Sequence, residues 1–154
     1  MVDIARAVPA DLPALVESAA ALFAEDGGTR DPYMDTGWPA REGSEYYGGL
    51  IGSDSALCSL ARDGGAVVGH LVGRVRKDEL HPGLVVGVLE SMRVADGGRR
   101  GGVGTALVAD FLGWARGEGA TRFTVSAYAA NAGAIAFYRA QGFEPFEVVL
   151  RLGD

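Results

Sequence analysis

The sequence predicts one α/β (α+β) domain, a mixed and mostly antiparallel sheet of six to seven strands with about four helices on its two faces. Three observations carry this. Two alternating apolar runs meet at Asp63-Gly64-Gly65, a hairpin signal. A later apolar run ends in a Gly/Arg loop that opens directly into an amphipathic helix. The elements follow the order β-α-α-β-β-β-α-β-α-β with no internal repeat and no linker. A chain of 154 residues is one domain's worth, so residues 1–154 are read as a single unit.

Residues 4–8 form the first strand. Asp11 is a candidate N-cap for a helix whose Leu12, Leu15, Val16, Ala19, Leu22 and Phe23 fall at helical spacing, and Gly27-Gly28 ends it. Residues 29–52 are Gly-rich, acidic and aromatic (Tyr33, Trp38, Tyr46, Tyr47), with one short helix near 41–50. Residues 56–62 and 66–76 are the hairpin strands. Residues 85–94 are a third strand, with Glu90 set among apolar neighbours. The loop at 95–102 leads into a helix that buries Val103, Ala106, Leu107, Phe111 and Trp114 and ends at Gly117. A strand at 122–127 follows. Asn131 caps a helix through Tyr138, Gly142 is its natural C′ residue, and residues 145–152 alternate as a final strand.

The net charge of −6 argues against a nucleic-acid partner, because phosphate neutralisation needs clustered Lys and Arg. The acidity is concentrated in residues 1–60, where ten carboxylates against three arginines give −7. The remaining ten acidic and eleven basic residues give +1. That asymmetry suits a cationic acceptor beside an anionic cofactor, and it equally suits a solubilising surface. No apolar stretch approaches the roughly 20 residues that span a bilayer. With no signal-like N-terminus either, a cytoplasmic protein without a membrane partner is expected. Cys58 is the only cysteine and lies in an apolar run, which reads as a buried thiol. His70 in mid-strand and His81 beside Pro82 do not complete a ligand set with it, so no metal is expected.

The loop Arg99-Arg100-Gly101-Gly102-Val103-Gly104-Thr105 carries the strongest chemical signal. Its glycines let successive backbone N–H groups converge on an anion at a helix N-terminus, where the macrodipole adds attraction. Arg99 and Arg100 supply charge and donors for phosphate oxygens. A Walker A loop needs Gly-Lys-Ser/Thr, but the only lysine is Lys77. A dinucleotide fingerprint from Gly102 would need glycine at 107, where Leu107 stands. A purely structural helix-entry loop remains the alternative.

Val94 and the run from Arg99 to Leu107 resemble the acetyl-CoA pyrophosphate loop of the GNAT superfamily of N-acetyltransferases. The later run Asn131-Ala132-Gly133-Ala134-Ile135-Ala136-Phe137-Tyr138-Arg139-Ala140-Gln141-Gly142-Phe143 is similar to that family's Asn…Phe-Tyr…Gly-Phe helix. Both blocks stand in the family's order, and with their strands they cover about residues 85–152. Asp96 departs from the proline that is common before the loop. The first 60 residues, where the family binds its acceptor, match nothing that names a substrate.

The resemblance implies an acetyl-CoA-dependent N-acetyltransferase in which strands 85–94 and 122–127 splay at their C-terminal ends. The pantetheine arm would pair like an added strand with Met92, Arg93 and Val94, one of whose N–H groups would hold the oxyanion. The diphosphate would sit on Arg99, Arg100, Gly101, Gly102, Val103, Gly104 and Thr105, and Asn131 would contact the cofactor while also capping its helix. Tyr138 resembles the family's tyrosine that protonates the departing thiolate, the alternative being a packing tyrosine. A primary amine with a pKa near ~10 must lose a proton before it attacks. Glu90 is the candidate base, acting through water, since burial makes a carboxylate a stronger proton acceptor. Its alternative is an ion pair with Arg74 or Arg76.

The stretch 31–47 is the candidate acceptor wall, with Asp31 and Asp35 as anions and Trp38 and Tyr46 as stacking faces for a cation. Leu89-Glu90-Ser91-Met92-Arg93-Val94 resembles the glutamate strand of aminoglycoside N-acetyltransferases, whose polycationic acceptors would suit the acidic half. A small primary amine attacked directly in a ternary complex is therefore expected. A protein or peptide N-acetyltransferase and a non-catalytic acyl-CoA-binding domain are the alternatives. Dimers are common in the family, so a homodimer is expected.

Overall fold

A computed structural model describes residues 2–96 and 101–153. Five strands form one sheet in the order β1 (Val2–Arg6), β2 (Ala56–Asp63), β3 (Ala66–Arg76), β4 (Val86–Val94) and β5 (Arg122–Val125). The first three pairings are antiparallel and β4–β5 is parallel. A parallel pair needs a crossover, and helix α4 (Val103–Gly117) supplies it.

The sheet separates two apolar layers. On one face α4 packs Val103, Leu107, Val108, Phe111 and Ala115 against Leu57, Leu71 and Leu89. On the other, α1 (Leu12–Leu22) and α3 (Trp38–Leu50) bring Leu15, Ala19, Tyr47 and Leu50 onto Cys58, Leu60 and Val72. Alternation along β2 sends Leu57 and Cys58 to opposite layers, so this central strand is buried on both faces. Gly73 on β3 lets Phe111 approach: a Cβ there would stand 2.6 Å from the ring.

Several expected boundaries move. Asp11 does not cap α1 forward. It closes a 3₁₀ turn (Pro9–Asp11), accepts from the Val8 N–H at 2.9 Å and pairs with Arg62 at 2.8 Å. Gly27-Gly28 does not end the first helix, which widens into a π-helical turn at Phe23–Gly27 and continues as α2 (Gly28–Arg30). Helix α3 begins at Trp38, because Asp35 accepts from the Gly37 N–H and organises its first turn. On α4, Ala106 is exposed and the buried face is completed by Val108 and Ala115. The expected final strand at 145–152 is absent from the sheet, leaving five strands rather than six or seven. Its alternation is present, but these residues join none of the strands, so the pattern alone does not place them in the sheet.

His70 of β3 is fully buried between the layers. Its Nδ1 lies 2.5 Å from Ser18 Oγ of α1, and its Nε2 lies 3.3 Å from Ser91 Oγ of β4. Burial, and then the charge of Arg93, pull its pKa from 6.5 to about 4. The native ring stays neutral where the unfolded chain would take up a proton. Stability is therefore full above pH ~6.5 and falls as the pH drops toward ~4, by on the order of 3 kcal/mol. Urea unfolding at neutral pH and near pH 4 measures the loss, and His70→Asn should flatten the dependence in that window.

Candidate active site

The site forms where β4 and β5 part. Their pairing runs from Val86–Arg122 to Leu89–Val125 and stops, while β4 continues to Val94. Beyond Leu89 the rest of β4, including Met92 and Arg93, has no ladder partner in β5. On the other side of β4, Val72 pairs with Ser91 and Gly73 with Leu89, so Glu90 is the extra residue of a β-bulge. Bulges re-aim side chains beside active sites, and here Glu90 reaches the α3 side of the sheet, where it meets Tyr46.

Glu90 is not enclosed among apolar side chains. Its side chain is 32% exposed, and the carboxylate accepts from the Tyr46 hydroxyl at 2.6 Å and lies 3.9 Å from Arg74 Nη1. Arg74 is one of the two arginines named as alternative partners of Glu90, and the other, Arg76, lies 3.8 Å from Asp78. Tyr46 is raised above its usual 10, first by burial and then by the Glu90 carboxylate. Trp38 meets Tyr46 edge-on at 5.4 Å and stacks on Phe23 at 5.8 Å. Two residues chosen as acceptor wall and one chosen as base thus share one constellation. Trp38, Arg41, Glu42, Glu45 and Tyr46 line an open hollow of about 480 Å³ beside it.

Asp35 is committed elsewhere. It pairs with Arg41, which holds its carboxyl below the usual range, and it caps the turn before α3. That is a structural duty, and it sets Asp35 beside Arg41, a residue that lines the hollow. Asp31 accepts from the Tyr33 N–H at 3.0 Å, and its charge helps raise the Tyr128 phenol.

Tyr138 lies on α5 (Ala132–Ala140), half-buried, with Phe137 at 5.2 Å and Phe143 at 5.8 Å. Burial, and then Asp26, push it up to about 12, so it keeps its proton throughout the neutral range. Asn131 caps α5 by accepting from the Ala134 N–H at 3.0 Å, and its amide donates to Asp26 at 3.2 Å. The chain's thiol is not a competing nucleophile, since burial pushes Cys58 up to about 11.

At the start of α4, Gly102 takes φ +75°, a conformation that glycine adopts without strain, and no side-chain cap is made there. The first N–H groups of a helix have no partners within it, which leaves those at the start of α4 available to an anion. Gly104 also lets α5 approach, since a Cβ there would stand 3.1 Å from the Phe137 ring. Val103 is buried in the core, and the Thr105 hydroxyl accepts from Gln141 at 3.1 Å. Gly101 is exposed beside Gly102. Arg99 and Arg100 lie outside the described residues.

Sequence reasoning missed Glu25 and Asp26. The π-turn carries Glu25 into a two-pronged pair with Arg93 of β4, at 2.7 and 3.1 Å. It also points Asp26 at Arg30 and Asn131. A 3.6-residue periodicity gives no sign of this, because the π-turn rotates everything after Leu22 about the helix axis.

Residues 17–143 match the model of the Acetyltransferase (GNAT) family, and the chain belongs to that family. No curated protein matches it. Among solved structures it resembles the aminoglycoside antibiotic 6′-N-acetyltransferase of Acinetobacter haemolyticus at 25% identity and TM-score 0.76, covering 99% of this chain and 97% of that one. It also resembles the aminoglycoside N-acetyltransferase AAC(6′)-Iy bound to the bisubstrate analogue CoA-S-monomethyl-acetylneamine, at 19% identity and TM-score 0.72 over 100% and 98% of the chains. A mutant of the BH1408 protein of Bacillus halodurans superposes with TM-score 0.87 at 14% identity over 98% of each chain. The protein is an acetyl-CoA-dependent N-acetyltransferase. Among the described residues, no helix is long and apolar enough to cross a membrane.

Proposed function

We propose that the enzyme acetylates a primary amine of a small polycationic acceptor by direct attack in a ternary complex. The observation that carries this is Glu90, lifted out of β4 by a bulge and held by the Tyr46 hydroxyl beside an open acidic and aromatic hollow. The hollow offers Glu42 and Glu45 as anions and Trp38 and Tyr46 as ring faces, a set that attracts an ammonium. The resemblance to aminoglycoside acetyltransferases lends support, since their acceptors carry several amines.

In this reading Glu90 takes the proton of the attacking ammonium, directly or through one water, and Tyr46 fixes the carboxylate's direction. Acetyl-CoA supplies the activated acyl group. The backbone of Met92, Arg93 and Val94 receives the pantetheine, and the N–H groups from Gly102 to Thr105 receive the diphosphate together with Arg99 and Arg100. Tyr138 donates its proton to the departing thiolate, whose conjugate acid has a pKa of about 8.5 by analogy with cysteine. A phenol held near 12 is protonated in every molecule at neutral pH. Asn131 positions the turn that carries it, being tied both to α5 and to Asp26.

One observation favours a second reading, a peptide or protein amine: the hollow at Trp38 opens broadly to solvent and would admit an extended chain. The two separate on charge. Changing Glu42 and Glu45 together to glutamine should raise the KM for a polycationic aminosugar by roughly two- to thirty-fold, as for two exposed ion pairs, and leave the KM for acetyl-CoA unchanged. Steady-state kinetics with each substrate varied checks this, and an unchanged acceptor KM removes the acidic wall from the account.

A further inference from the structure

Past Leu89 and Val125 the ladder between β4 and β5 ends, while β4 runs on to Val94 and the other strand leads to Asn131 and α5. Two consecutive carboxylates of the π-turn span that interval. Glu25 accepts from Arg93 of β4 at 2.7 and 3.1 Å, and Asp26 accepts from the Asn131 amide at 3.2 Å. The turn that presents them is itself tied down. The Thr29 hydroxyl donates to the Glu25 and Asp26 carbonyls at 2.9 and 3.0 Å, and Arg30 Nε donates to Asp26 Oδ1 at 2.7 Å. One short segment thus holds both sides of the parting strands.

The α5 side depends on this tie, because packing holds that helix lightly. None of its nine residues is buried. Toward its C-terminal end Phe137 rests against Gly104 of α4, and Gln141 donates to the Thr105 hydroxyl at 3.1 Å. At the other end stands Asn131, whose Oδ1 accepts the Ala134 N–H at 3.0 Å while its own amide N–H reaches Asp26. Those two bonds fix which way the Asn131 amide faces. Tyr138 follows Asn131 by seven residues, close to two full turns, so the two share a side of α5 about 10 Å apart along the axis. The Tyr138 phenol also feels the Asp26 charge. Fixing the rotation of α5 at Asn131 therefore fixes the direction of the Tyr138 hydroxyl.

We propose that Asp26 is a positioning residue for acetyl transfer. Bound to Asn131, it sets the angle of α5 and so aims the Tyr138 hydroxyl at the sulfur of acetyl-CoA held along β4, while Glu25 fixes the other end of the brace on Arg93. The inference rests on the reading of Tyr138 as the acid. Asp26 itself moves no proton and acts through Asn131. A displacement of about 1 Å at a reacting group can cost on the order of a hundred-fold in rate, so a loosened α5 is felt in the chemical step. The diphosphate is held away from the brace, at the start of α4, so affinity for acetyl-CoA is largely spared.

Asp26→Ala should lower kcat roughly ten- to hundred-fold and leave the dissociation constant of acetyl-CoA within about three-fold of wild type. Asp26→Asn should recover most of the loss, because Oδ1 accepts from both Arg30 and Asn131 and a carboxamide oxygen can take its place. Arg30→Ala removes a half-exposed ion pair but leaves the Asn131 bond, so it should stay within about two-fold of wild type. The sharpest comparison is made in Tyr138→Phe. There, adding Asp26→Ala should cost less than about three-fold more, since its effect runs through the missing hydroxyl. Acetyl-CoA titration shows that each variant is folded, and if the alanine variant is not, Asp26→Glu, which displaces the same carboxylate, carries the same comparison. Wild-type turnover in Asp26→Ala overturns the proposal. So does an asparagine variant as slow as the alanine one, an Arg30→Ala loss equal to it, or full additivity with Tyr138→Phe. Normal turnover in Tyr138→Phe alone is a different failure: it removes the acid reading, and the proposal falls with it.

Discussion

Replacing Tyr138 with phenylalanine should lower kcat for acetyl transfer about a hundred- to ten-thousand-fold and leave the affinity for acetyl-CoA nearly unchanged. The expectation rests on what the ring touches. Tyr138 is packed edge-on by Phe137 and Phe143, so phenylalanine keeps the aromatic contacts and removes only the hydroxyl. The phenol is held near 12 by burial and by Asp26, so no pH in the working range deprotonates it. With Tyr138 as the proposed acid, loss of the hydroxyl would leave the thiolate to depart unprotonated, a transition-state penalty that binding does not feel. Activity should also recover in part with an acyl donor whose thiol has a lower pKa, because such a leaving group needs the proton less. Steady-state kinetics with both donors, beside a titration of acetyl-CoA binding, measures this. Wild-type turnover in the variant would make Tyr138 a packing residue.

The second large effect is on stability. Phe111→Ala should cost about 3–5 kcal/mol. In a domain of this size that lowers the melting midpoint by roughly 6–20 °C at 2–4 °C per kcal/mol. Phe111 is fully buried at the centre of the α4 layer, meets Phe123 at 6.5 Å, and fills the space that Gly73 and Gly87 leave free. Three elements, β3, β4 and β5, converge on that ring, and a cavity there cannot collapse without moving the strands that part at the site. Trp114→Ala, on the same helix but only partly buried, should cost less. Thermal melts of the two variants give the comparison, and equal losses would mean that the core is not centred on Phe111.

The sequence made the sheet and its crossover legible because each depended on local patterning. The Asp63-Gly64-Gly65 turn, the run into Gly102, and the buried stripe Val103, Leu107, Phe111 are all short-range signals. Glu90 and Tyr46 could be chosen by residue type, but their contact could not. It arises from a bulge that inserts Glu90 between two paired residues, and a bulge depends on the partner strand. Glu25 and Asp26 were hidden for a related reason, since the π-turn breaks the periodicity by which a helix is read. Asp35 could be chosen as part of an acidic stretch, but its pairing with Arg41 is visible only in the fold. The segment at 146–152 is the reverse case. Its alternation was plain, but pairing depends on a partner strand, and in the fold these residues join none of the five.

The measurement that tests the central claim most directly is thiol release from acetyl-CoA across a panel of amines: aminoglycosides and linear polyamines, then free amino acids, then peptides with an N-terminal or lysine amine. The account predicts saturable release with the polycationic small amines, a kcat/KM for them that falls as salt rises, and little turnover of the peptides. Release driven by peptides alone, with none of the small polycations turned over, would contradict it and assign the open hollow at Trp38 to a protein substrate.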